Sequence, residues 1–511
     1  MDSTHKWSNK MKKLFGFIFG LIVIAAIMAG IGVGAYYWSG SLAKDSFEKS
    51  IMQTTGNQAI TYKLNSFEQG LFISKAIAEL TLDPGKFNSG VNTQVIPTDK
   101  MFSIQLEHTI YHGPFAFKAP EFDPAQPVAA FIKTRINTDS NPELKEVLNK
   151  LWKTNPFKMN SMVSFAGVVE TTIEVAPIDF TSPDNMHIKW SGAKSIIAHN
   201  TATNSFDSAI DAGGVSIEDD DNFALVDGIA GTASGSFDAG NFMNSKAAYS
   251  IDNIQIEANT KNESKALKGT MNNLAVKAGN EINGNQLSSY MELSVDDAMF
   301  NDENYGPGNF QINLRKIDAD AIKQLQNDLE MAKEDAAKQG LPPEAAMFIA
   351  QQKLMETLPK LLQQGPEIEI SKLDFSTPQG KVEGYTKISL DLGGKPVPAN
   401  PMELIPMVAI NTSFSAPSDL IEKILASDAK KEIARDLSMT GEQATPEQLE
   451  ELAMNKVKSQ LEALTAQNAI SRDGTKIVGS YRLNNGKLNL NGMEIPLEQM
   501  IGSLMQGQAP K

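Results

Sequence analysis

Between Thr61 and about residue 315 the chain alternates apolar and polar positions, the period of strands with one buried face. In 104–112 the even positions read Ile104, Leu106, His108, Ile110 and His112, while Gln105, Glu107, Thr109 and Tyr111 point the other way. In 163–175 the odd positions read Val163, Phe165, Gly167, Val169, Thr171, Ile173 and Val175, opposite Glu170, Thr172 and Glu174. One wet face and one dry face mark an antiparallel sheet. Further strands are predicted at 187–198, 206–217, 223–237, 246–258, 265–278 and 287–299. Asx- and Gly-rich turns separate them, among them Glu218-Asp219-Asp220-Asp221-Asn222 and the stretch from Asn280 to Gly284.

A helical period then interrupts. Ile322, Leu325, Leu329, Ala332 and Ala336 share a face in 318–339, and Gly340 ends that helix. Pro342-Pro343 opens a second helix that runs to about Gln364. Strands return at 367–375, 381–392 and 406–415. A second helical pair follows, 419–437 behind Ser418 and 446–466 with capping-box spacing from Thr445 to Gln448. Asn485-Gly486 is a two-residue turn that sets Leu483 opposite Leu488 and Tyr481 opposite Leu490.

Upstream of the sheet, Leu14 to Trp38 carries no charge over 25 residues, against the roughly 20 that cross a bilayer. Lysines precede the run and Tyr36, Tyr37 and Trp38 close it, which predicts a retained anchor with its N-terminus in the cytoplasm. Val33-Gly34-Ala35 also fits a signal-peptide cleavage site, and Met11-Lys12-Lys13 a second start of translation. Gly16 with Gly20, and Gly30 with Gly34, have the spacing of helix-packing glycines; glycine merely tolerated in a membrane helix accounts for them equally.

The expected fold is α+β, predominantly antiparallel β. One N-terminal transmembrane helix precedes an elongated, curved antiparallel sheet with two helical pairs packed on it. The chain divides into a basic cytoplasmic terminus (1–13), the anchor (14–38), a membrane-proximal helix or linker (39–60) and a strand-rich periplasmic region (61–315). A mixed region continuing the same sheet (316–499) and a disordered tail (500–511) complete it.

Charge and composition narrow the partners. The net charge of −15 becomes −18 beyond residue 13, a surface that repels phosphate backbones, so nucleic acid is not expected. The chain has no cysteine, which excludes disulfides, thiolate metal sites and cysteine nucleophiles. His108 and His112 share a strand face but stand about 13 Å apart at ~3.3 Å per residue, too far for one metal ion to reach both easily. His187 and His199 accompany no serine elbow and no helical His-Glu-x-x-His. Glu170 and Glu174 fall on the predicted solvent face. The acidic loop 218–221 lacks the ligand rhythm of a calcium loop and reads as a turn. No catalytic residue, metal or cofactor is assigned.

Several segments, taken in order, resemble the YdgA-like family of bacterial inner-membrane proteins. They are the lysine-flanked anchor, Ser66-Phe67-Glu68-Gln69-Gly70-Leu71-Phe72, and His112-Gly113-Pro114-Phe115 closing an alternating strand. Gly365-Pro366-Glu367-Ile368-Glu369-Ile370 follows a helix, and the terminal hairpin leads to Asn491-Gly492. The resemblance implies an envelope location with a periplasmic body, and carries no catalytic residue. His112, Gly113, Pro114 and Phe115 read physically as a strand-ending corner, with Gly113 and Pro114 enforcing the bend.

These readings converge on a membrane-anchored periplasmic protein, non-enzymatic, that holds lipid chains or a partner segment of the envelope on an apolar sheet face. A self-associating scaffold of the inner membrane, and a hydrolase whose histidines converge with Ser or Asp in one cleft, are the alternatives.

Overall fold

Cross-strand pairing turns the alternation into two dry faces. The computed structural model describes residues 60–82, 102–113, 119, 128–140, 142–152, 155–182, 185–237, 243–258, 267–338, 343–398, 401–440 and 444–496. The expected anchor with Gly16, Gly20, Gly30 and Gly34, the corner residues Pro114 and Phe115, and the tail lie outside them. Among the described residues no helix is long and apolar enough to cross a membrane. The secondary structure is mostly antiparallel strand, with four long helices in two pairs. Contacts divide the chain into two units, residues 1–241 with 247–266, and residues 242–246 with 267–511.

In the first unit nine strands pair in antiparallel series. They are Ile60–Glu68, Ile73–Leu82, Phe102–His112, Ala130–Asn137, Phe157–Val163, Val168–Val175, Ala193–Asn200, Ser205–Ala212 and Ile229–Phe237. A second series runs through Ile178–Thr181, His187–Trp190, Val215–Glu218, Asn222–Asp227 and the end of Met243–Ala258. The dry face of the first series gives Leu80, Ile104, Leu106, Ile136, Met159 and Ile173 to one core, which Ile178 and Trp190 of the second series complete. Leu148 and Trp152 join that core from the short helix Pro142–Leu151 and its end, an element without a signal in the strand pattern. The Trp152 indole N–H donates to the carbonyls of Ala176 (3.1 Å) and Pro177 (2.9 Å), so the ring is buried with its polar atom satisfied. On the wet face Lys158, Glu174, Lys194 and Asp211 are successive partners across four strands, an alternating charge ladder.

Four predicted strands prove to be broken, and the breaks connect the two series. The stretch 187–198 is interrupted at Ser191-Gly192, 206–217 at Gly213-Gly214, 223–237 at Gly228, and 287–299 at Asp296. In the first unit each break sends one half into one series and the other half into the second. Gly192 (φ 89°) and Gly228 (φ 66°) take backbone angles that only glycine adopts without strain. Ser191 donates its amide to Gly214, and Gly213 to Gly192, which stitches two corners together. The predicted single strand 163–175 is instead a hairpin. Val163 and Val168 flank a turn containing Gly167 (φ 80°), and Phe165 stands exposed at its tip. Val169, Thr171, Ile173 and Val175 are buried, as the alternation requires.

The second unit repeats the plan with longer strands. Leu267–Asn283, Gln286–Val295, Gly308–Asp318, Glu367–Thr377, Gly380–Leu390, Val408–Pro417, Lys476–Asn484, Lys487–Leu490 and Met493–Pro496 pair in order. The first helical hairpin, Ala319–Lys338 and Pro343–Leu362, leaves between two adjacent strands. The second, Ser418–Thr440 and Pro446–Ala466, leaves between the next such pair. Thr445 and Gln448 form the expected capping box. Ala426, Ala429, Ala453, Val457 and Leu461 of the second hairpin bury themselves with Ile470 and Ile477, with Phe414 packed alongside. Gly479 makes room for this, because a Cβ there would lie 2.4 Å from the Phe414 ring. The predicted Asn485-Gly486 turn pairs Leu483 with Leu488 and Tyr481 with Leu490. A second Asn-Gly turn at Asn491-Gly492 adds one more strand; all four turn residues have positive φ, as type I′ turns demand.

Removing the Ile173 side chain leaves a void at the centre of the first core. Ile173→Ala should lower stability by about 2–5 kcal/mol, read from the denaturant midpoint of tryptophan fluorescence.

Candidate functional site

The second unit carries an open apolar track. Leu314, Ile368, Ile388, Ile410, Leu483, Leu488 and Ile495 are successive partners on seven adjacent strands, so seven branched aliphatic side chains stand in one row. At ~4.8 Å per strand the row is about 29 Å long. Above it a second row reads Met291, Ile312, Ile370, Thr386, Thr412 and Tyr481. A third reads Leu293, Phe310, Leu373, Gly384 and Phe414. The second helical hairpin covers the Phe414 end. Toward the other end Leu314, Ile368, Ile388, Met291 and Leu293 are exposed, Ile368 to 43%. A soluble face rarely leaves so many contiguous apolar side chains in water unless something binds there.

The reverse face is held by charge. Glu369 pairs with Arg315 at 2.6 Å and accepts a hydrogen bond from Tyr385 at 3.1 Å. Glu367 pairs with Lys316 and with Lys387 (3.1 Å). The Lys316 ammonium beside Glu367, and the Arg315 guanidinium beside Glu369, hold both carboxyls below the usual range. The segment Glu367-Ile368-Glu369-Ile370 thus splits by alternation. Its glutamates fix the register of the central strands, and its isoleucines stand in the track.

A second arrangement, in the first unit, joins two segments far apart in sequence. The Gly70 amide donates to the Ser74 hydroxyl (3.1 Å), and that hydroxyl lies 2.7 Å from His112 Nε2. The hydroxyl can accept from Gly70 and still either donate to or accept from the imidazole, according to the His112 tautomer. The His112 amide donates to the Phe72 carbonyl, and the Gly113 amide (φ 46°) to Ala129. Burial pushes His112 below the ordinary imidazole pKa. A serine on a histidine is half of a nucleophile–base pair, but Ser74 is fully buried, so the group acts as a lock on the strand corner. It presents Leu71, Phe72 and Ile73 at an exposed tip. Ser74 escaped the sequence reading; its only signal is its position two residues beyond Phe72.

The other histidines stand apart. His108 shares the His112 face as expected, buried, with Nδ1 2.8 Å from the Thr134 hydroxyl. His199 lies in the row of His112 but four strands away, about 19 Å at ~4.8 Å each. His187 pairs with Asp179 at 2.8 Å on the other strand series. Glu170 partners Met162 and Ala198 on the wet face, and Glu174 lies in the charge ladder. Asp219 accepts the amides of Asp221 and Asn222, so the acidic loop is a turn closed by its own carboxylate. Among the described residues no three His, Asp or Glu side chains are placed to hold a metal ion.

Sequence comparison gives the family. A family model described as bacterial protein of unknown function (DUF945) matches residues 11–498. Protein YdgA of Escherichia coli (strain K12) is 23% identical over 535 aligned residues, covering 94% of this chain and 96% of the relative. No solved structure matches.

Two predictions follow from the histidines. Ser74→Ala leaves the half-buried Gly70 amide without its partner and should cost about 1 kcal/mol, with the Gly70 amide exchanging with solvent faster than in the parent. An unfolded histidine titrates near 6.5, whereas burial lowers His108 to about 4. Between those values the unfolded chain binds the extra proton, so stability falls as pH drops through that window, by about 3 kcal/mol in all. His112 and His199, both lowered by burial, act in the same direction. The thermal midpoint should fall from pH 6.5 to 4 and fall less in His108→Gln; an equal slope in the variant would place the acid sensitivity elsewhere.

Proposed function

We propose, starting from a chain that belongs to DUF945, the bacterial family of unknown function, that its body holds lipid acyl chains on the open aliphatic rows of the second unit. The observation that carries this reading is the row Leu314–Ile368–Ile388–Ile410, continuous across four strands, with its first three members exposed. An acyl chain in one leaflet spans about half of a ~30 Å hydrocarbon core, so the row is long enough to seat one. Each methylene moved from water onto such a surface gains up to about 0.8 kcal/mol. No polar group interrupts the row, which suits a ligand recognised by apolar length.

The same reading places the protein in the bacterial inner membrane, the run Leu14–Trp38 serving as a single-pass anchor and the sheet lying in the periplasm. The support is the 25-residue uncharged run behind four lysines. The sheet would curve around its apolar rows, which brings more of them to one chain than a flat face does.

Solvent extraction of the gently purified full chain, followed by mass spectrometry, tests the proposal. Annular lipid on the anchor is common to all variants, so the readout is the difference made by Leu314→Lys with Ile368→Asp. The two sites are exposed direct cross-strand partners, so the opposite charges face each other and the pairing is kept. The parent should carry a bound lipid that the double variant loses at least tenfold. Equal lipid in the two proteins, or none in either, contradicts it.

A further inference from the structure

The aliphatic row stops at Leu314. Its next partners are Ser289, on the strand Gln286–Val295, and then Asn280, on Leu267–Asn283. The Ser289 hydroxyl donates to the Asn280 side-chain carbonyl at 2.7 Å, and the Asn280 amide donates to the Ser245 hydroxyl at 3.5 Å. Three polar side chains from three strands thus close the row, Asn280 exposed and both serines half-buried. The rows on either side stay apolar along the same strands. Ile282 pairs with Leu287, and Ala278 with Met291, so the polar group interrupts an apolar face and is not part of the wet one. No charged side chain shares this face at 276–282 or 287–295, because Lys277, Glu281 and Glu292 alternate to the other side.

We propose that Ser245, Asn280 and Ser289 bind the uncharged polar head of an esterified acyl chain whose tail lies along Leu314, Ile368 and Ile388. The inference rests on the lipid reading above and adds to it an orientation and a class of head group. A bare hydrocarbon lying across the three side chains would strip water from them and return no hydrogen bond. A carboxylate placed there would lose its own water and find no cation on this face. An ester or hydroxyl matches what the group offers. The two hydrogen bonds above use one amide N–H of Asn280 and leave its second N–H and the Ser245 hydroxyl hydrogen to donate. From Ser289 to Ile388 is three strand spacings, about 14 Å at ~4.8 Å each. That is about half of a ~30 Å hydrocarbon core, the length of one acyl chain. The polar end therefore fixes the head at Ser289 and sends the tail toward Ile388.

The test offers the full chain, in detergent and freed of lipid, three probes in equal amounts: methyl laurate, laurate and tetradecane. At about pH 8 laurate is ionised. Retained probes are extracted and counted by gas chromatography. Leu314→Lys with Ile368→Asp gives the background held by detergent and anchor. Above that background the parent should retain methyl laurate over laurate by roughly tenfold or more. In Asn280→Val with Ser289→Val, where valine suits a strand, the ratio of methyl laurate to tetradecane should fall about tenfold through the lost hydrogen bonds. Ser289→Ala, which removes one hydroxyl, should lower the same ratio about threefold. A ratio unchanged in both variants, or laurate retained over its ester, overturns the head-group site and leaves the acyl reading standing. No probe above background overturns both.

Discussion

Register is the constraint on which the second unit depends. Side chains alternate along a strand, so a slip of one residue at any of its pairings would exchange the aliphatic and charged faces and break the row. The pairs Glu367–Lys316, Glu367–Lys387 and Glu369–Arg315 oppose that slip from the wet face. Pairs whose cations are half-exposed are individually modest, and their effect here is to select one pairing among near-equals. The consequence appears on the other face, where seven aliphatic side chains fall into line.

The same alternation was legible along the chain, and most strands follow from it; the four long helices follow from the helical period and the capping signals that interrupt it. The partners of each strand were not legible, because register joins residues far apart in sequence. Ile388 and Leu314 lie 74 residues apart, with a helical hairpin between them, yet stand in one row. The breaks at Gly192, Gly213-Gly214 and Gly228 were missed for a related reason. At two of them the buried positions change phase, from Ile188 and Trp190 to Ser195 and Ile197 and from Ala212 to Ile217, a shift that reads as a turn only once the strand partners are known. The helix Pro142–Leu151 was missed because it is short and sits among strong strand signals.

The motifs that suggested a family take on distinct physical roles. Gly70 and His112, from two separate segments, meet through Ser74, a residue of neither. The Glu-Ile alternation at 367–370 serves both faces of one strand. Asn485-Gly486 and Asn491-Gly492 supply successive turns at the sheet end. None of these roles places a reactive side chain in the open, whereas the track places apolar side chains there.

The most direct test of this account is where an acyl chain touches the protein. A fatty acid carrying a photoreactive diazirine near its methyl end, activated on the full-length protein, leaves adducts that peptide mass spectrometry can locate. The account predicts adducts concentrated on 308–318, 367–376 and 380–390, the strands bearing Leu314, Ile368 and Ile388. Adducts confined to Leu14–Trp38, or spread evenly over both units, would contradict it.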